Sequence, residues 1–541
     1  MNLTASSLLA GILVLASSAA SQTSVIKYSG ALNLSSEFYS VHGVTARRPA
    51  NTQRGILQFN VSLFDQINLP FEAYFASGQA GFRQPFNQFG VSPRISDWLV
   101  LHAGYYSAQL SDLTFGDTRL LGAGVELSPG PFRFKALFGR SQAAVQPDSI
   151  NNVTGAYKRT MWGGTIGYGA DDEFHIRLNV LHALDDTSSL FVVPVGVTPS
   201  ENLVTSLAFG MPIDSNLITI DAEIAGSAFS NDIRSAELAS KGIGHSLYIP
   251  RLSSQVDGAA TLSLGIHPAS FMNLRLNTRW IGPGFVSLGY AQAPNDVFEW
   301  TIAPAFRLLE GAVSLRGSVG QRQNNLRNNR LSTTRRTIWS FGGTAQATNQ
   351  LGLDVQYSNY GIRSNPKNDT LRIENISQSL VLTPRYMFEA FGAASNAMLS
   401  YSFQDSNDKN VVTSQVNRNQ TQSLSAVWSL AFPSSLSLAT SLLSTSSKLP
   451  SLTTSIFNAS ETAGYQFFDN ALSTMLTLGF SVINAVAHDS QFTFSTSLIY
   501  SLQSWGSIGL TIFNNNYTSG NTVSNPSFSE VQGTLNYSLG F

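Results

Sequence analysis

The sequence predicts an all-β protein: a transmembrane, antiparallel, up-and-down β-barrel of about 26 strands, with 24 as the alternative count. Three observations lead there. Charged residues make up 12% of the 541-residue chain, about half the usual quarter. Hydrophobic residues make up 43%, yet no window after residue 21 supplies the roughly 18 consecutive apolar residues of a membrane-spanning helix. Instead, apolar and polar residues alternate singly over segments of about 10 to 14 residues, twice the length of an ordinary soluble strand and long enough to cross a bilayer when tilted. The 34 Phe, 17 Tyr and 7 Trp exclude a solvated coil. A formal net charge of −1 gives no electrostatic reason to expect nucleic acid.

Residues 1–21 form an export signal. The apolar core Leu8–Ala16 is followed by Ser17-Ser18-Ala19-Ala20-Ser21, whose small residues fit cleavage near Ser21. Residues 22–541 then form one barrel domain with long extracellular loops. The chain has no cysteine, which excludes both a lipid anchor on cysteine and stapling by disulfides.

The alternation runs to the last residue. Gly533, Leu535, Tyr537, Leu539 and Phe541 share one face, opposite Gln532, Thr534, Asn536, Ser538 and Gly540. Leu274, Leu276, Thr278 and Trp280 oppose Asn273, Arg275, Asn277 and Arg279. Phe174, Ile176, Leu178 and Val180 oppose His175, Arg177 and Asn179, and Ile218, Ile220, Ala222 and Ile224 oppose Thr219, Asp221 and Glu223. Successive strand side chains point to opposite faces, so each segment has one face for lipid and one for a wet lumen. Only a closed sheet leaves no backbone group unpaired in lipid.

From Trp98 onward, short turns such as Ser128-Pro129-Gly130 alternate without a break with long loops such as 141–156, 185–200 and 228–255. Barrels of the outer membrane keep their short turns on the periplasmic side. Three strands are visible before residue 78 and twenty-two after 97. Parity then requires a return stroke within 78–97, either a wall strand around Phe82–Val91 or a crossing through the lumen. Phe82, Phe86 and Phe89 are candidates for a constriction there. Trp162, Trp280, Trp300 and Trp339 fall toward outer strand ends, and Trp98, Trp428 and Trp505 toward inner ends, as interfacial girdles require.

The terminal Phe541, after Tyr537 and Leu539, is similar to the C-terminal strand that the barrel-assembly machinery recognises in outer-membrane barrels. The stretches Gln84–Pro93 (QPFNQFGVSP), Leu121–Gly130 (LGAGVELSPG), Phe132-Arg133-Phe134 leading to Gly139-Arg140, Arg47-Arg48 before Pro49, and Gly282-Pro283-Gly284-Phe285 leading to Leu288-Gly289 go further. Through them the chain resembles a family of large, functionally uncharacterised outer-membrane barrels of Gram-negative bacteria. The resemblance implies architecture and an outer-membrane location. It implies no activity.

Chemistry-bearing motifs are absent from the sequence. No P-loop, G-x-S-x-G elbow or H-E-x-x-H occurs, and the seven histidines show no metal-like spacing. Neither enzymatic activity nor a cofactor is expected. The candidate functional residues are charges on lumen faces: Arg133, Lys135, Arg177, Asp221, Glu223, Arg275, Arg279, Arg316 and Asp354. They are either a selectivity wall or paired charges that stiffen a wide barrel. The basic run Arg327–Arg336 is a candidate contact for lipopolysaccharide. The expected function is a transport or translocation channel whose lumen is closed by loops or by a plugging or periplasmic partner. The alternative is a platform presenting surface loops.

Overall fold

The computed structural model describes residues 26–64, 67–77, 88–116, 118–148, 153–192, 196–214, 217–238, 247–290, 294–366, 372–408, 410, 418–522 and 525–541. The signal reading of residues 1–21, with Phe82 and Phe86, lies outside them.

The described chain is a single antiparallel sheet closed on itself. It begins with β1 (Ile26–His42), β2 (Asn51–Leu63), β3 (Ile67–Ala76), β4 (Gln88–Val91), β5 (Arg94–Ile95), β6 (Leu99–Ser107), β7 (Arg119–Leu127), β8 (Phe132–Gln142) and β9 (Lys158–Tyr168). There follow β10 (His175–Asp186), β11 (Glu201–Ile213), β12 (Ile218–Ser230), β13 (Ser254–Ala269), β14 (Met272–Ile281), β15 (Val297–Leu308), β16 (Val313–Asn324), β17 (Ser332–Gln346) and β18 (Leu351–Pro366). The ring is completed by β19 (Glu374–Ala390), β20 (Ala393–Asp408), β21 (Asn419–Ala431), β22 (Leu436–Leu449), β23 (Leu452–Phe467), β24 (Leu472–Asn484), β25 (His488–Ser501), β26 (Ser507–Thr518) and β27 (Phe528–Gly540).

β4 and β5 both pair with β3 on one side and β6 on the other. They are two pieces of one wall strand, which gives 26 positions in the ring. Ser92-Pro93 separates the pieces, because proline has no N–H to give to the ladder. This broken strand is the return stroke that parity requires. Phe89 belongs to it, opposite Ala73.

β1 closes the ring against β27 over twelve residue pairs, from Ala31–Gly540 to His42–Ser529. Gly30 and Phe541 then exchange both backbone hydrogen bonds, at 2.7 and 3.0 Å. Leu539 is buried opposite Leu32, the Phe541 ring lies 5.9 Å from that of Phe59, and the Tyr537 hydroxyl donates to the Trp505 carbonyl at 2.9 Å. The three residues of the C-terminal motif are thus packed into the seam.

Antiparallel partners share a face, so the register sorts lumen from exterior all round the ring. Phe134–Ile166–Leu178 and Leu264–Leu276–Ile302 are outward rows, and Ser423–Thr445 and Thr462–Thr477 are inward pairs joined by hydroxyl hydrogen bonds of 3.0 Å. Trp339 stands in the middle of β17, short of the strand end. It nonetheless caps the outward apolar run Trp339, Phe341, Gly343, Ala345, beyond which Thr337 and Arg335 continue the strand on the same face.

One expectation fails near the C-terminus. Residues 450–451 and 485–487 are tight connections on the side that otherwise carries long loops, so the alternation of short and long is not unbroken. β22 and β23 run on through Ser444, Ser446, Thr453 and Ser455. The hairpins themselves, rather than loops, project beyond the apolar outward run.

Gly30 is required by the seam. A Cβ there would lie 2.5 Å from the Gln58 backbone oxygen and 2.8 Å from Phe541 Cζ. Gly30→Ala should therefore cost about 1–3 kcal/mol through overpacking. It should lower the temperature at which the folded band is lost on semi-native gels, whereas Gly533→Ala, where an added Cβ meets nothing within 4 Å, should leave it unchanged.

Candidate functional site

The inner faces of β8 to β12 change character halfway along. On β8 the lumen-facing side chains are Arg133 and Lys135, then Leu137; on β10 they are His175, Arg177 and Asn179, then Leu181 and Ala183; on β12, Asp221 and Glu223, then Ala225. The charged ends lie toward the short turns, and the apolar ends toward the long loops. An apolar lumen face would be exposed to water unless covered, and two loops cover it.

The segment 108–116, between β6 and β7, folds inward and buries Leu110, Leu113 and Phe115. The segment 282–290, after β14, folds in beside it and buries Phe285. Together they form one cluster with the wall residues Leu120, Leu137, Met161, Leu181, Ala183, Val204, Ala259 and Ile281. Phe115 and Gly289 make a parallel bridge. A side chain at position 289 would meet Leu181 Cδ2 at 2.7 Å and collide with the Thr114 carbonyl, so only glycine allows the two loops to approach this closely.

Polar side chains fix the loops to the wall. Asn202, fully buried, donates through Nδ2 to the Val286 carbonyl at 3.0 Å and the Ser227 hydroxyl at 3.1 Å, and its Oδ1 accepts from Leu288 N–H at 3.0 Å. The Ser227 hydroxyl donates to the Val286 carbonyl at 2.6 Å. Between the loops, Ser287 Oγ donates to the Thr114 carbonyl at 2.5 Å and the Tyr290 hydroxyl to the Ser111 carbonyl at 2.6 Å. Ser111 Oγ donates to Glu223 at 2.5 Å. The chain of contacts continues along the wall through Ser206, Asn179 and Thr165. Asp257 accepts from Gly284 N–H and pairs with Arg327, both at 2.8 Å, and Arg330 pairs with Asp296 at 2.7 Å. Two arginines of the Arg327–Arg336 run are thus engaged in holding the inward loop.

Beneath the loops lies a cavity of about 1000 Å³. Arg133, Lys135, Arg177, Asp221, Glu223 and Arg279 line it, joined by Asp112, Glu126, Asp171 and Glu299. Arg275 and Arg316 line a second cavity of about 470 Å³, with Gln356 and Ser358. Asp354, on β18 opposite Thr344, lines neither. Some of these charges are paired: Lys135 with Glu126 at 3.1 Å, and Arg177 with Asp171. Burial pushes the Asp171 carboxyl up, but the hydrogen bond and charge of Arg177 outweigh it and hold the group below the usual carboxylate range. Among the described residues Arg275, Arg279 and Arg316 have no ion pair. The Nε of Arg279 is buried without a hydrogen-bond partner. Arg279 faces Glu299 across the ladder, so the arrangement presents the guanidinium groups of Arg275 and Arg316 in the second cavity to a solute. No group of three or more histidines, aspartates or glutamates converges as a metal site among the described residues.

Closure by loops is expected from the sequence, but which loops turn inward is not; a signal for the wall they cover is nonetheless present. Leu137, Met161, Leu181, Ala183 and Val204 are apolar residues on the polar face of neighbouring strands, at matching heights in the ladder. A strand apolar on both faces is covered on both faces.

No family model matches the chain, and no curated protein does. Among solved structures, the P pilus usher (PapC) translocation pore covers 95% of this chain and 99% of its own, at 9% identity and a TM-score of 0.40. OccK8 (OprE) of Pseudomonas aeruginosa covers 68% of this chain and 97% of its own, at 13% identity and a TM-score of 0.33. OccAB4 of Acinetobacter baumannii covers 70% and 98%, at 13% identity and a TM-score of 0.31. Likeness at this level carries no function from those proteins to this chain.

Removing the amide that anchors the second loop should release it. Asn202→Ala deletes the anchor's bonds to Val286 and Leu288 and should cost about 1–3 kcal/mol. The expected result is faster backbone hydrogen exchange confined to residues 284–289, with β22 and β23 unaffected.

Proposed function

We propose that the chain is an integral outer-membrane channel of a Gram-negative bacterium, its lumen narrowed by its own outer loops. The observation that carries the reading is the pairing of two surfaces. The exterior is a largely apolar girdle, in which Glu461 is met by the Thr440 hydroxyl at 2.6 Å, while the interior is polar and holds a loop-built constriction directly above a charged cavity. A lumen of this width calls for filling, and the inward loops supply it on the β7–β14 side. A soluble protein would gain nothing from exposing rows such as Leu264–Leu276–Ile302, whereas lipid stabilises them.

In this reading Arg133, Lys135, Arg177, Asp221, Glu223, Arg275, Arg279, Arg316 and Asp354 line the path, with Arg275 and Arg316 bearing on anions. Lipid and lipopolysaccharide surround the girdle. Tyr537, Leu539 and Phe541 present the assembly signal before the seam closes, after which they are packed into it. A periplasmic partner would meet the short-turn side.

Purified chain in planar bilayers should give stable channels, and replacing 108–116 with a short Gly/Ser linker should raise single-channel conductance. Silence of both proteins would refute the channel and favour a loop platform. The exterior can be tested separately. Leu264→Arg, on the outward face of β13, should destabilise the vesicle-folded barrel by about 2–4 kcal/mol. Ser263→Arg, on its lumen face, should cost far less in the same urea titration.

A further inference from the structure

The lumen has two unlike halves. The charged cavity and the inward loops occupy the side built by β7 to β16. On the opposite side, the inner faces of β25 and β26 carry Gln491, Thr493, Ser495 and Ser497 beside Asn515, Phe513 and Thr511. None of these is ionisable. Amides and hydroxyls both donate and accept hydrogen bonds, which is also the chemistry of a sugar's hydroxyl groups. They form a continuous polar strip, with Gln491 donating to Asn515 at 2.8 Å and Thr511 to Ser497 at 3.4 Å.

At the long-loop end of this strip two aromatic rings meet. Tyr517 and Phe528 lie directly opposite each other on the inner face of β26 and β27, stacked at 5.2 Å and 24°. Both are half-buried. Phe513 follows on the same face four residues further in, about 14 Å along the strand. Two acids share this face and both are occupied: Glu530, on the track opposite Asn515, accepts from Tyr39 and Asn515, and Asp489, at the mouth, from Tyr517 and Gly520 N–H. Arg47 sits over the Phe528 ring at 5.3 Å, so both signs of charge are present and neither dominates. Aromatic faces alternating with uncharged hydrogen-bonding groups match one class of solute. The pyranose ring has an apolar C–H face that stacks on aromatic rings and a rim of neutral hydroxyls. The span from Tyr517 to Phe513 calls for an oligomer rather than a single sugar.

We propose that the inner face of β25–β27 is a track for neutral oligosaccharides, entered at the Tyr517–Phe528 pair and continued past Phe513. The proposal rests on the channel reading for transport, but not for binding. The test uses the full chain and the linear neutral probe maltohexaose, with hexagalacturonate as an anionic probe of the same length. In planar bilayers maltohexaose should reduce the current reversibly and saturably, and hexagalacturonate should do so much less. Phe528→Ala should weaken the block about three- to tenfold, the loss of one aromatic contact, and Phe528→Tyr should restore it.

Conducting channels that ignore maltohexaose, that respond equally to both probes, or that bind equally well with Phe528→Ala would overturn the track and leave the channel standing. Calorimetric titration of the detergent-solubilised chain covers the remaining case. Saturable heat without conductance would keep the track and refute the channel, and no heat would overturn the track.

Discussion

Every backbone N–H and C=O in the wall must find a partner inside the protein, and that requirement organises the rest of the structure. Hydrocarbon offers no hydrogen bonds, so an open sheet edge in lipid would cost several kcal/mol for each unmet group. The ring removes its edges by pairing β1 with β27, and the last residue joins in, Phe541 bonding to Gly30 on both sides. The even number of ring positions follows from the same demand, because an antiparallel sheet can close on itself without a parallel pair only with an even count. The awkward segment before Trp98 is part of this solution. Two short pieces interrupted by a proline still bond to β3 and β6, and the wall has no gap there.

Closing 26 positions creates an interior problem in exchange. So wide a ring cannot be filled by its own inward side chains. The chain fills one side by turning loops inward and leaves the other lined with hydroxyls and amides. The inward loops are held as a soluble core is held. Phe115, Leu113 and Leu120 are fully buried, and the backbone groups exposed by irregular chain are met by Asn202, Ser227 and Ser287. Segment 108–116 buries Leu110, Leu113 and Phe115 in a cluster shared with the wall, which distinguishes it from a loop lying free in a pore. Charges follow the same division. Arginines and acids gather below the loops, where a cavity can hold water around them, whereas on the opposite wall the acids Glu530 and Asp489 are taken up by hydrogen bonds.

The strand period, the sidedness of each strand, the parity argument and, Trp339 apart, the aromatic borders were legible in the residues. Each depends on short-range geometry: successive side chains point to opposite faces, and a strand must cross a fixed thickness. The nine lumen charges follow from the same alternation, and eight of them line the two cavities. What went unread was non-local. Leu181 and Val204 are apolar residues on a polar face, and the segments that cover this face, 108–116 and 282–290, lie more than sixty residues away along the chain. The connections at 450–451 and 485–487 are shorter than the alternation of turn and loop lengths predicts, although the strands they join are counted correctly.

The sequence by itself determined a closed antiparallel barrel with an apolar exterior and a polar interior, since strands of period two, long enough to cross a bilayer and poor in charge, satisfy both faces in lipid only when the sheet closes. Only the tertiary structure decided how that interior is divided. Which loops turn inward, which wall they cover and which aromatic pair is left facing the open side depend on contacts between residues far apart in the chain, and no local pattern encodes them.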